Sequence, residues 1–264
     1  MQGELTIAAM RRKRVNLIVW ASITASLVAI IVAFYPSIKG DQSLDKTFAD
    51  LPEGVRALFG TNSLISPVGY LTGRLFALFL PGTLIGFTIG RGSAAVAGEE
   101  EQHTLNLTLA YPVKRRSVVL QRLTAMVAEL LALTAVAWLT LIALSGPSGL
   151  DISIWLETAA IIEAAVLAAT FGIGALAIGA WTGKRGLATG ISSGIAVAGY
   201  LIDSLSKVVH ALEPLRPFTV WRWYDGHQPL TDGIDPVGMG VLIVLAVIVV
   251  VIGTAVFERR DVRE

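Results

Sequence analysis

Cysteine is absent, charge is scarce and histidine nearly so. Without cysteine the chain has no disulfide, no thiolate nucleophile and no thiolate metal ligand. Asp, Glu, Lys and Arg make up 16% of the 264 residues, where a soluble globular domain carries about a quarter. The three histidines, His103, His210 and His227, fall between apolar runs. No two of them are placed to bind a metal within a bilayer, and no serine in an apolar run has a histidine base beside it. A phosphate-cradling loop would read G-x-x-x-x-G-K-[ST], yet the only Gly-Lys pair, Gly183-Lys184, is followed by Arg185. Filter sequences and charge rings of the kind that mark channels are missing too. Metalloenzyme, serine-hydrolase and ATPase chemistry by this chain are thereby set aside, with no cofactor and no metal expected on it.

What is present is apolar length. Hydrophobic residues make up 54% of the chain and the mean hydropathy is +0.67. A helix needs about 20 apolar residues to cross the hydrocarbon core. Six stretches qualify: Val15–Tyr35, Pro67–Ile89, Leu123–Ser145, Ile152–Trp181, Leu187–Leu205 and Val237–Phe257. The first follows Met10-Arg11-Arg12-Lys13-Arg14, but it is too long for a signal-peptide core and lacks a small-residue cleavage site, so it reads as an uncleaved span. The fourth exceeds the bilayer thickness, which implies tilt or an interfacial outer end.

Basic residues set the orientation. With the N-terminus inside, fourteen of them lie in cytoplasmic segments (Arg11, Arg12, Lys13, Arg14, Arg91, Lys114, Arg115, Arg116, Arg122, Lys184, Arg185, Arg259, Arg260 and Arg263) against six outside. The expected protein is therefore an all-α membrane protein, one transmembrane domain over 1–264, with both termini cytoplasmic. Short amphipathic helices belong in its loops. In the external segment 36–66, Phe48, Leu51, Val55 and Leu58 recur at helical spacing, which predicts one such helix on the outer surface. The external segment 206–236 carries four prolines that forbid a continuous helix, and Trp221 and Trp223 read as anchors at headgroup level.

The connection after the second span runs Ala97-Gly98-Glu99-Glu100-Glu101-Gln102-His103-Thr104-Leu105, and ends Ala110-Tyr111-Pro112-Val113-Lys114-Arg115-Arg116. Three acids at its start favour a helix beginning there, and Pro112 stops the element. This block, 97–116, resembles the "AGEE-x-x-x-TL-x-x-x-L-x-x-PV-x-R" signature of type-2 ABC transporter permeases, with a departure at His103. Leu215-Arg216-Pro217-Phe218 before the last span and Phe257-Glu258-Arg259-Arg260-Asp261 at the end resemble that family in matching places.

The resemblance implies the membrane half of an exporter working by alternating access. It implies a second permease copy or homologue, and two copies of a cytoplasmic ABC ATPase that would hold the ATP and Mg2+. It also implies that segment 97–116 contains a coupling helix docking on that ATPase, which makes Glu99, Glu100, Glu101 and Thr104 coupling candidates. The plainer reading of the glutamates is that they cap their helix, and both can hold together.

Small residues recur every fourth position in two spans: Gly82, Gly86 and Gly90, then Gly186, Gly190 and Gly194. Such ladders let helices approach closely in lipid, either within one chain or across a dimer. Pro81 predicts a kink ahead of the first ladder. Arg74, Glu129, Glu157 and Glu163 are ionisable groups at membrane depth, costly unless they face protein or water. The depths of Arg74, Glu157 and Glu163 suit an ion pair or a polar path, whereas Glu129 has no evident partner.

Few intramembrane charges favour hydrophobic or amphipathic cargo over ions or sugars. Nothing in the composition points to nucleic acid, and membrane lipid is the surrounding partner. Short loops and the lack of cysteine fit a prokaryotic plasma membrane. A non-transporting membrane anchor or a channel subunit of a larger complex is the alternative function.

Overall fold

The computed structural model describes residues 2–59, 61, 63–102 and 115–260, and their side chains apart from those of 2–14 and 42. Among the described residues there is no strand, and six helical segments are long and apolar enough to cross a bilayer. In hydrocarbon every backbone N–H and C=O must find a partner inside the protein, and helices achieve this within each segment.

In chain order, α1 (Gln2–Ile38) supplies the first span and is followed by the short α2 (Gln42–Ala49) and α3 (Glu53–Ala57). The second span is composite: α4 (Pro67–Leu71), a π-helical turn (Thr72–Phe76) and α5 (Phe79–Ala95). Then come α6 (Ala97–Glu101), the third span α7 (Arg115–Ser148), the fourth α8 (Ile154–Thr182) and the fifth α9 (Arg185–Ser206). A 3-10 turn (His210–Phe218), α10 (Arg222–Asp225) and α11 (Pro229–Asp232) lead to the last span, α12 (Pro236–Arg259). One end of the bundle carries α6, the start of α7 and the finish of α12; it is called the basic end here. Segments 39–66 and 207–235 lie at the opposite end.

The fourth span is the axis. In the most apolar stretch of α8, 67% of residues are buried, and 61% in the second span, against 28% or less in the other four. Around α8 pack α5, α12, α7 and α9, while α1 leans on α7. Small side chains make this packing close: Ala164, Ala168 and Ala175 are fully buried. A Cβ on Gly92 would overlap the Gly172 carbonyl, and one on Gly253 would sit 2.8 Å from the Ala177 Cβ. The Thr88 hydroxyl donates to the Ala168 carbonyl at 2.7 Å, so even a buried polar group on this seam is satisfied.

The kink expected at Pro81 is a break. The Ala77 amide reaches back five residues to the Thr72 carbonyl at 2.7 Å, and Leu78 leaves the helical region with φ −145°. Pro81, in the first turn of α5, has no N–H to return to Ala77, so the chain restarts its helix instead of continuing it.

The two segments at the opposite end differ from expectation. The single amphipathic helix predicted over 36–66 is two, because Pro52 begins α3 and separates it from α2. Phe48 turns inward, 3% exposed, edge-on to Phe59 at 5.6 Å. Trp221 is not a headgroup anchor. It is 3% exposed, donates from Nε1 to the Ala196 carbonyl at 2.8 Å and packs against Tyr200 and Tyr224. The prolines that break up 206–236 fold the segment back over the bundle, and its largest rings fill the gap between α8 and α9.

Candidate functional site

At the basic end, α5 passes through Val96 into α6, and the three consecutive glutamates of α6 leave in different directions. Glu99 meets the Arg122 guanidinium of α7 at 2.7 Å. Glu100 pairs with Arg260, the residue after α12. Glu101 accepts the backbone N–H of Arg185 at 2.8 Å, at the first residue of α9. A carboxylate on an exposed helix N-terminus is stabilised by the unpaired amides and the dipole there. The glutamates therefore do not cap their own helix, as the simpler reading expected; α6 starts at Val96 with no side-chain cap.

Arg260 carries the arrangement further. Its second amino group donates to the Ala180 carbonyl in the last turn of α8 at 2.8 Å, and its own carbonyl accepts from Arg115. Gly183 closes α8 with φ +66°. Only glycine takes that conformation without cost, and a Cβ there would intrude on both Glu100 and Arg260. A small apolar cluster of Val96, Val118, Val119, Leu176, Ala180 and Phe257 lies beneath. Charge-assisted pairs set on a dry floor hold their geometry far better than exposed ones. The result is one junction that ties α6 to α7, α8, α9 and α12. Thr104 and His103, with the rest of 103–114, lie outside the described residues.

Deeper in the bundle, Arg91 of α5 forms a two-pronged pair with Glu129 of α7, their side chains 26% and 21% exposed. Glu129, expected to be alone, thus has a partner. Two residues on, the Thr189 hydroxyl of α9 donates to the Ser93 hydroxyl of α5 at 2.9 Å.

Residues 8–262 match the family described as "ABC-2 family transporter protein". The chain belongs to the ABC-2 transporter family. It is a multi-pass membrane permease of an ABC transporter, a transmembrane subunit type that is typically not catalytic, and its family implies partnership with an ABC ATPase. Comparison with curated proteins gives no match.

Other expected contacts of this permease are corrected. Arg74 pairs with neither Glu157 nor Glu163. It lies on the π-helical turn, is exposed, and stacks over the Tyr70 ring at 5.5 Å. Both glutamates are buried and satisfied locally: Glu157 accepts from the Ser145 hydroxyl, and Glu163 from the Asp235 backbone N–H at 2.6 Å. Similar depth did not bring them together, because Arg74 faces away from α8. The glycine ladders are not seams within this chain either. Among the described residues, a Cβ on Gly82 or Gly86 would meet nothing nearer than 3.9 Å, and one on Gly90, Gly186, Gly190 or Gly194 nothing within 4 Å. The close seams run instead through Gly92, Gly172 and Gly253. The signal was in the sequence, as Ala164, Ala168, Gly172, Ala175 and Gly179 recur at three and four residues along α8.

The opposite end holds a second polar group that sequence reading missed. Arg216 donates to the buried Asp203 at 3.0 Å, and Lys207 pairs with Asp225. Burial pushes the Asp225 carboxyl above its usual range, against the opposing pull of Lys207. It also pushes the Tyr224 phenol well up, so that this hydroxyl stays a donor. A cavity of about 90 Å³ lies alongside, lined by Thr72, Phe76, Lys207, Tyr224, Asp225 and His227 among others, next to the break in the second span.

Proposed function

We propose that this permease is the membrane subunit of an ABC exporter, moving a hydrophobic or amphipathic substrate across the plasma membrane while a separate cytoplasmic ATPase supplies the energy. The observation that carries this reading is the junction at α6. A short helix outside the bilayer is tied through three carboxylates to α7, α9 and the end of α12, and through Arg260 to α8, so a partner pushing on it moves the bundle as a unit. On this reading the basic end is cytoplasmic, as the distribution of Lys and Arg requires, and ATP and Mg2+ are bound only by the partner.

Two permease copies complete the transporter. The outward glycines of α5 and α9 have no neighbour nearer than 3.9 Å among the described residues of their own chain, and small residues are what lipid-embedded helices use to approach one another. A second copy against these faces would enclose the apolar path that alternating access needs. Arg91 and Glu129, paired on α5 and α7 at its inner part, hold the geometry of that path.

The test is purification of the tagged chain from its native membrane in mild detergent, with bound polypeptides identified and ATP hydrolysis measured in the eluate. A nucleotide-binding subunit recovered in equal amount, with hydrolysis, is the expected result. A chain that elutes alone and without ATPase activity would sink the exporter reading and favour the anchor or channel.

A further inference from the structure

At the basic end, Arg260 touches three elements through its side chain and its own carbonyl. One amino group is on Glu100 of α6, the other on the Ala180 carbonyl of α8, and its carbonyl accepts from Arg115 of α7. We propose that Arg260 is the residue that carries displacement of α6 into the fourth and sixth spans, a positioning role that rests on the ATPase-coupled reading above.

Three features separate this contact from its neighbours. The first is burial. The Glu100 and Arg260 side chains are 8% and 16% exposed, whereas Glu99 and Arg122 are 24% and 30% exposed and Glu101 is open to solvent. A desolvated, hydrogen-bonded pair is stiff, because parting it leaves two uncompensated charges in a dry setting. A solvated pair yields easily.

The second feature is where the pair is attached. Ala180 lies in the last turn of α8, where the carbonyls have no intrahelical amide to accept, so Arg260 supplies a bond that the helix itself cannot. Gly183 interlocks with the pair, as no side chain fits between it and Glu100. Because α8 is the helix around which the other spans pack, movement of its end reaches α5, α7, α9 and α12 together. The solvent-open Glu101 meets the start of α9, an outer span without this leverage.

The third feature is incompleteness. Glu100 Oε2 is buried and has no hydrogen-bond partner among the described residues. A buried carboxylate oxygen left unpaired costs free energy, so Glu100 depends all the more on the bond that its other oxygen accepts from Arg260.

The chain lacks cysteine, so spin labels can be placed at single introduced thiols. Gln102→Cys on the exposed end of the α6 segment and Lys184→Cys between α8 and α9 report the separation of the coupling segment from the fourth span. The distance is measured in the purified permease–ATPase complex, nucleotide-free and with ATP and vanadate trapped. With Arg260 present the distribution is expected to be narrow and the same in both states. In the Arg260→Gln variant it should broaden and shift by several ångströms on trapping, read in complex recovered with its ATPase bound. Arg260→Lys, the milder change, keeps the charge pair but loses one donor and should fall between the two.

A Gln variant with the same distances in both states would overturn the proposal, as would an unsubstituted protein whose two labels separate on trapping. If no ATPase is recovered with the unsubstituted chain, the exporter reading fails and this role fails with it, an outcome plainly different from unchanged distances in an intact complex.

Discussion

The Tyr224 hydroxyl donates to the main-chain carbonyl of Phe76 at 2.8 Å, at the point where the second span breaks. That carbonyl receives no backbone amide from the restarted helix, so a side chain from the opposite-end segment satisfies it. Tyr224→Phe would leave a buried carbonyl unpaired at a cost of about 1–3 kcal/mol. Thermal unfolding in detergent should show a larger loss than for Tyr70→Phe, whose hydroxyl donates to the Ile31 carbonyl inside the continuous helix α1. Equal losses would mean that the break does not depend on this bond.

Arg91 and Glu129 make a second, sharper case. Removing one member of a largely buried ion pair strands the other, whereas replacing both with apolar residues of similar size removes the charge from the bundle altogether. Glu129→Leu alone should destabilise the protein by about 2 kcal/mol, and adding Arg91→Met should recover most of that loss. Transport by the double variant should remain impaired if the pair shapes the path. Recovered stability together with full transport would leave the pair without a functional part.

The spans were legible because lipid dictates them: each helix lies on an apolar run, and Pro81 announces the break in the second. Their partners were not. Glu99, Glu100 and Glu101 find theirs 23, 160 and 84 residues away, and three adjacent acids look the same in a sequence whether they cap a helix or tie three others together. Arg91 counted as a residue of the connection, but α5 continues to Ala95 and brings it level with Glu129. Trp221 has the composition of a membrane anchor and the position of a core residue, because only the folded course of 206–236 shows which way its ring points.

The carboxyl of Asp225 gives a dependence on pH with a definite sign. Burial raises its pKa in the folded protein, Asp203 beside it raises it further, and Lys207 opposes both. Arg216 is spent on Asp203, and Tyr224 stays neutral. The folded state therefore holds this proton to higher pH than the unfolded chain does, so the contribution of Asp225 to stability falls as pH rises from about 4 through its folded pKa. Asp225→Asn does not titrate. Its stability relative to the unsubstituted protein should improve across that interval, read as the difference in melting temperature at several pH values. A difference constant with pH, or one moving the other way, would show that Lys207 outweighs burial.

Glycine positions separate packing within the chain from the proposed packing against a second copy. Gly92 approaches α8 so closely that a methyl group there would overlap the Gly172 carbonyl, which is backbone and cannot swing aside. A Cβ on Gly190 or Gly194 would meet nothing within 4 Å among the described residues. Gly92→Ala should cost about 1–3 kcal/mol through forced helix separation, seen as lower yield and melting temperature in detergent whatever the oligomeric state. Gly190→Leu and Gly194→Leu should leave the melting temperature of the isolated chain unchanged but shift cross-linked dimer toward monomer in native membranes, since bulk on a small-residue face keeps two helices apart. If both leucine variants keep the dimer, the interface lies elsewhere, and the outward strip of Gly82, Gly86 and Gly90 on α5 becomes the next face to test by the same substitution.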